Sequence, residues 1–153
     1  MEWQAKPEQR ADEWEIRRLA LLYARAMDRN EPAIFELIFT EDAVIERPGV
    51  KREGRAAILQ IPASLKKRYL GTLHKIHNQL VTVTAADTAE GETYCTAEHL
   101  QRDRAGGTTL FAMSIRYRDW VVREAGHWRF RRRHLVFEWT DTRQVHWHHE
   151  PLG

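Results

Sequence analysis

One cysteine stands in the whole chain, Cys95. It excludes an internal disulfide and makes a reducing cytoplasm the simplest expected compartment. No thiol-activating motif surrounds it, so it reads as a space-filling strand residue rather than a nucleophile. A surplus of one charge sign is missing too. The chain has 24 basic and 22 acidic side chains, a formal net charge of +2, too little to gather nucleic acid or anionic lipid. No apolar run approaches membrane-span length. The charged opening MEWQAKPEQRADEWEIRR lacks the apolar centre of a secretory leader. With 8 glycines and 5 prolines in 153 residues there is no flexible linker, and no internal repeat divides the chain. The expectation is one domain, with a core over residues 12–141 and a tail over 142–153, and with neither nucleic acid nor membrane among its partners.

What is present comes in two blocks, helices and then strands. Asp12 and Glu15 have the form of a capping box. Ile16, Leu19, Ala20, Tyr23, Ala26 and Met27 follow at helical spacing, so a first helix is predicted over Asp12 to Arg29. Asn30 and Pro32 signal a second, short helix with Ala33, Phe35, Leu37 and Ile38, ahead of a short strand in FTEDAVIERPG. A third helical stretch, GRAAILQIPASLKKRYLG, is expected to break near Pro62. Everything after Gly71 reads as strand, in segments 73–84, 91–103, 107–124 and 127–139 bounded by Asp87, Gly91, Gly106, Gly107 and Gly126. In the third segment Phe111, Met113, Ile115 and Tyr117 share a covered face, and Ala112, Ser114, Arg116 and Arg118 take the other. Helices ahead of an antiparallel meander make an α+β fold whose helices cover a curved sheet, an arrangement that can leave an apolar cavity.

The strand GTLHKIHNQLVTV carries two histidines three positions apart. Alternation sends His74 and His77 to opposite faces, so they cannot easily share a metal, and one at most faces a pocket. The basic run RFRRRH places Arg129, Arg131 and Arg133 at alternate positions, as a solvated sheet face would. His146 and His148 have chelating spacing but sit in a terminal tail without supporting partners. No metal site is expected. Trp120, Trp128 and Trp139 read as core or interface aromatics.

Taken in order, YARAMDRNEPAIFELIFTEDAVI, TLHKIHNQLV, GETYCTAEHL and GHWRFRRRHLVFEWTD resemble the nuclear transport factor 2-like superfamily over about residues 14–141. Within it they resemble the SnoaL-like group, which contains scytalone dehydratase and bile acid 7α-dehydratase. The resemblance implies a cystatin-like cone, a curved antiparallel sheet wrapped around N-terminal helices with one deep pocket. It implies elimination or isomerisation beside a carbonyl, without metal or organic cofactor, on a small hydrophobic molecule such as a polyketide, steroid or terpenoid. It also implies a homo-oligomer, a dimer or trimer.

By that resemblance Asp28 and His74 form the catalytic dyad, His74 as base and Asp28 as its orienter. An imidazole accepts a proton at neutral pH, and a carboxylate beside it fixes the tautomer. Without the resemblance, Asp28 reads equally as a helix-surface partner of Arg25, and His74 as a satisfied strand histidine. Tyr23 lies five residues before Asp28, as in the bile acid enzyme, and could stabilise an enolate; its other reading is a member of the apolar stripe. His99 lies 99 − 74 = 25 residues after His74, as in scytalone dehydratase, and could be a second acid–base group. The chain departs from that enzyme at Met27, where it has a tyrosine. Met27, Phe35, Phe111, Met113, Ile115 and Trp139 are the expected pocket lining. The alternative function is a non-catalytic ligand-binding or assembly module of the same fold.

Overall fold

A computed structural model describes residues 7–148. After a 3-10 turn, helix α1 (Arg10–Arg29) presents Ile16, Leu19, Tyr23, Ala26 and Met27 as its buried stripe. The helix starts two residues before the expected boundary, and no capping box forms. Gln9 is the N-cap and makes no side-chain cap bond. Asp12 is drawn to the sheet instead: its Oδ1 accepts the Trp128 indole N–H at 3.0 Å and pairs with Arg123 at 2.6 Å. The indole hydrogen bond holds the Asp12 carboxyl below its ordinary range despite some burial, with Arg123 adding to the effect. Glu15 accepts the Trp128 backbone N–H at 3.3 Å. Both carboxylates therefore pin the start of α1 to the end of the sheet.

α1 stops at Asn30, whose φ of 54° supplies the left-handed cap. Helix α2 (Ala33–Ile38) runs into strand β1 (Phe39–Arg47), and a tight turn leads to β2 (Val50–Glu53), a hairpin strand that the sequence reading did not resolve. The third helical stretch is two helices, α3 (Arg55–Ile58) and α4 (Ile61–Arg68). Pro62 stands in the first turn of α4, where its missing N–H has no intrahelical partner to lose. Four long strands follow: β3 (Gly71–Ala85), β4 (Thr88–Arg102), β5 (Thr108–Glu124) and β6 (His127–Gln144). β6 thus extends past the expected core boundary, and residues 149–153 of the tail lie outside the described residues.

The fold is α+β, with the helices set against a six-stranded, curved and unclosed sheet in the order β2-β1-β6-β5-β4-β3. Every pairing is antiparallel except β1 with β6, which is parallel because β1 arrives from the helices and lies beside the last strand. Gly126, at φ 79°, and Ala125, at φ 49°, make the two-residue turn from β5 to β6. Gly91, expected to bound a strand, sits inside β4 opposite Asp119. No helix among the described residues is long and apolar enough to cross a membrane.

Two irregularities in β6 decide which side chains reach the interior. Val121 pairs with Phe130 but Trp120 pairs with Arg132, so Arg131 is an extra residue; Ser114 pairs with Trp139 but Ile115 with Phe137, so Glu138 is another. Each extra residue inverts the alternation beyond it. Trp128 and Phe130 point inward before the first, and Arg133 points inward after it. The expectation of Arg133 on a solvated face is therefore wrong: it is fully buried. The second irregularity turns Trp139 outward, 68% exposed, so it does not line the interior. Arg129, Arg131 and Arg132 stay at the surface or its margin, on the Glu36 carbonyl, Asp42 and Glu46 respectively.

Candidate active site

The two residues expected to form the dyad come from the last turn of α1 and the start of strand β3. His74 Nδ1 lies 2.6 Å from Asp28 Oδ1. Asp28 Oδ2 accepts the His74 backbone N–H at 2.8 Å, and Oδ1 also accepts the Thr72 hydroxyl at 2.9 Å. A carboxylate facing Nδ1 selects the tautomer with the proton there, which leaves Nε2 as the basic atom. With three donors already on it, Asp28 has little capacity left to act on a substrate itself. The His74 side chain is 4% exposed and that of Asp28 17%. Arg25, the alternative partner for Asp28, pairs with Glu31 instead.

His77 takes the other face, where it is exposed and its Nε2 lies 2.8 Å from Thr96 Oγ1. The pairing of β3 with β4 slips between Ile76 and Gln79, which returns Gln79 and Val81 to the face of His74. Among the described residues no group of three or more His, Cys, Asp or Glu is gathered as a metal site.

Strand pairing brings in the second histidine. His74 stands opposite Ala97 and Thr72 opposite His99, so the two rings are diagonal neighbours with centroids 5.8 Å apart. The Tyr69 ring covers His99 at 4.5 Å, and Phe111 lies at 6.3 Å. Burial, reinforced by the His74 ring, pushes the His99 imidazole down to about 4, and its Nδ1 has no partner. His99 is therefore neutral at pH 7, a hydrogen-bonding group rather than a ready proton donor. Stability follows with a definite sign. Below about 6.5 the unfolded chain takes a proton that folded His99 refuses until about 4, so stability falls as pH drops through that window. The fall should total on the order of 3 kcal/mol. Urea unfolding at several pH values is expected to show it, and His99→Gln should flatten it; an equally steep fall in the variant would assign it elsewhere.

Tyr23 is edge-on to His74, centroids 6.3 Å apart, and stacked on Phe35 at 5.4 Å. Burial raises its hydroxyl to about 12, opposed by Arg133 and by a hydrogen bond with Tyr117, so it stays protonated. Behind it lies a pair that the sequence reading missed. Asp119 and Arg133 face each other on β5 and β6, joined by two bonds of 2.8 Å. The Arg133 guanidinium lies 4.4 Å from the Tyr23 ring, 4.2 Å from Tyr117 and 4.1 Å from Phe130. Burial pulls against its charge, but the Asp119 carboxylate more than offsets this and keeps it ionised. Its Nη1 has no partner.

The interior is more filled than the expected deep pocket. Phe35, Tyr23, Tyr117 and Ile115 are packed in the core, and of the expected lining only Met27 borders the cavity that reaches Asp28. That cavity is about 150 Å³, bordered also by Leu65, Tyr69 and Thr72, and is smaller than the ~300 Å³ typical of small-ligand sites. Phe111 borders His99, and Met113 packs against the core. A larger hollow of about 400 Å³, between Asp42, Val44, Trp120, Arg131 and Arg132, lies away from the dyad and offers only arginines already paired with acids.

The SnoaL-like domain profile matches residues 8–134. Among curated proteins none matches. Solved structures do. A provisionally assigned scytalone dehydratase from Novosphingobium aromaticivorans is 24% identical, with 90% of each chain covered and a TM-score of 0.73. Hexachlorocyclohexane dehydrochlorinase LinA-type3 from Novosphingobium barchaimii is 17% identical over 92% of this chain and 95% of its own, TM-score 0.76. An NTF2-like protein with a cystatin-like fold from N. aromaticivorans is 25% identical over 84% and 82%, TM-score 0.65. These likenesses carry the fold, a cone with dehydratase-type neighbours.

Proposed function

The chain belongs to the SnoaL-like domain family, and on that premise we propose that it is a cofactor-independent lyase or isomerase acting on a small hydrophobic carbonyl or alcohol compound. The observation that carries this reading is the 2.6 Å contact between His74 Nδ1 and Asp28, which leaves Nε2 as the basic atom of a ring that is only 4% exposed and lies beside Tyr23 and His99. In the proposed reaction Nε2 takes a proton from the carbon beside the carbonyl, and the electron pair moves into the enolate. Tyr23, held protonated, donates towards the enolate oxygen. The enolate then expels hydroxide, which leaves as water with the proton returned by His74. Neutral His99 orients the leaving group. Isomerisation differs only in returning the proton to another carbon.

The test is a thermal-shift screen of carbonyl-bearing polyketides and steroids, followed by incubation of each binder in deuterated buffer. At least one binder is expected to gain deuterium beside its carbonyl or to lose water. The small cavity at Asp28 favours a second reading, a ligand-binding module without chemistry; binders that show neither exchange nor turnover would establish it.

We also propose a homo-oligomer assembled through the outer sheet face, where Tyr94, Trp120 and Trp139 are exposed. Sedimentation equilibrium is expected to give a dimer or trimer, and a species of only 18.1 kDa at micromolar concentration would refute it.

A further inference from the structure

The cavity that reaches Asp28 has basic side chains at its border and beside it. Arg29 and Lys66 border it directly. Lys67 and Arg68 complete the last turn of α4 beside it, Arg68 lying 5.3 Å from the Tyr69 ring. Arg29, Lys66 and Lys67 are exposed. The nearby carboxylates are already engaged, Glu31 by Arg25 and Asp28 by Thr72 and His74.

Cations at helix C-termini have an ordinary explanation, because a helix end carries about half a negative charge. Both α1 and α4 end at this cavity. The two ends and Asp28 together supply about two negative charges against these four cations, and Glu31, which Arg29 also acts on, is balanced by Arg25, so the mouth carries a net charge of about +2. Nothing inside the cone uses them: Tyr23 is protonated and His99 neutral. A purely apolar substrate would gain nothing from this basic patch, and one carboxylate would neutralise only half of the surplus.

We propose that the substrate carries a phosphate-type polyanion that stays outside the cone, held by Arg29 and the Lys66–Arg68 turn, while its apolar part passes Tyr69 to the dyad. This rests on reading the dyad as the acid–base site and adds the substrate's charge class. Phosphate chemistry could belong to a phosphorylated small molecule or to a thioester on a phosphopantetheine-type carrier.

Calorimetric titration with inorganic diphosphate and with coenzyme A separates these sources. The parent is expected to bind both probes at low salt, each at least about tenfold more weakly at 0.2 M salt. Lys66→Gln/Lys67→Gln and Arg29→Gln should each weaken binding by a similar factor. Lys51→Gln/Arg52→Gln, on the opposite sheet edge, should not. Equal affinity for the two probes indicates recognition of phosphate alone. Coenzyme A at least tenfold tighter, with the advantage lost in Tyr69→Ala, indicates a carrier arm entering the cone. Absence of binding at low salt, or binding unchanged by the Lys66, Lys67 and Arg29 substitutions, overturns the proposal. His74→Ala is expected to bind both probes like the parent, so a protein that binds the anions but turns nothing over would refute the dyad reading and leave the anion site standing.

Discussion

Replacing His74 with alanine is expected to lower kcat on any substrate the screen identifies by about 10² or more, the usual cost of losing a general base. KM should change far less and the fold should stay intact by circular dichroism, although truncating a side chain that is only 4% exposed lowers the melting temperature as well. Asp28→Asn should cost nearly as much. Asp28 accepts from the Thr72 hydroxyl, the His74 backbone N–H and His74 Nδ1. An asparagine offers one accepting oxygen for those donors, and its amide cannot stabilise the imidazolium. Tyr23→Phe should be milder and appear in kcat, since the hydroxyl is one of several electrostatic contributions and also bonds Tyr117. If His74→Ala and Asp28→Asn both turn over substrate at the parent rate, the dyad only ties α1 to β3.

Strand alternation read from the sequence separates His74 from His77, and the same argument puts Phe111, Met113, Ile115 and Tyr117 on the covered face. Extended by two residues it also places Asp119 inside, an acid at a core position and a legible sign that a buried partner is needed. The partner itself was not legible. Arg133 reaches Asp119 only because Arg131 is an extra residue in β6, and no glycine or proline marks that irregularity. Trp139 fails as a lining residue for the same reason, with Glu138 as the extra residue. The capping box failed differently: Asp12 fits the local pattern, but an indole from the far end of the chain competes for its carboxylate. Arg133, Trp139 and the capping box are misread where one residue of slip or one distant donor decides the outcome, whereas the close packing of Phe35 and Ile115, and the burial of Ala112 on the face expected to be open, depend on tertiary packing that strand alternation does not carry.

Breaking the buried pair should have the largest effect on stability. Asp119 and Arg133 are 4% and 0% exposed and joined by two hydrogen bonds, so Asp119→Ala leaves a guanidinium charge in the core with aromatic rings as its main neighbours. The expected cost is about 3–5 kcal/mol, a fall in melting temperature of roughly 10 °C or more for a chain of this length, measurable by calorimetry or urea unfolding. Arg133→Met should cost a similar amount, because it strands the carboxylate instead. The double variant Asp119→Leu/Arg133→Met should regain much of the loss, since apolar residues of similar volume often replace a buried ion pair without penalty. That cycle also separates two roles. The guanidinium lies 4.4 Å from the Tyr23 ring, and Tyr23 is edge-on to His74. A purely structural pair predicts that the double variant recovers stability and kcat together. A positive charge that supports the developing enolate through Tyr23 predicts recovered stability with kcat still depressed. A cost below about 1 kcal/mol for either single variant, the range of exposed ion pairs, would mean that the pair is not buried in solution.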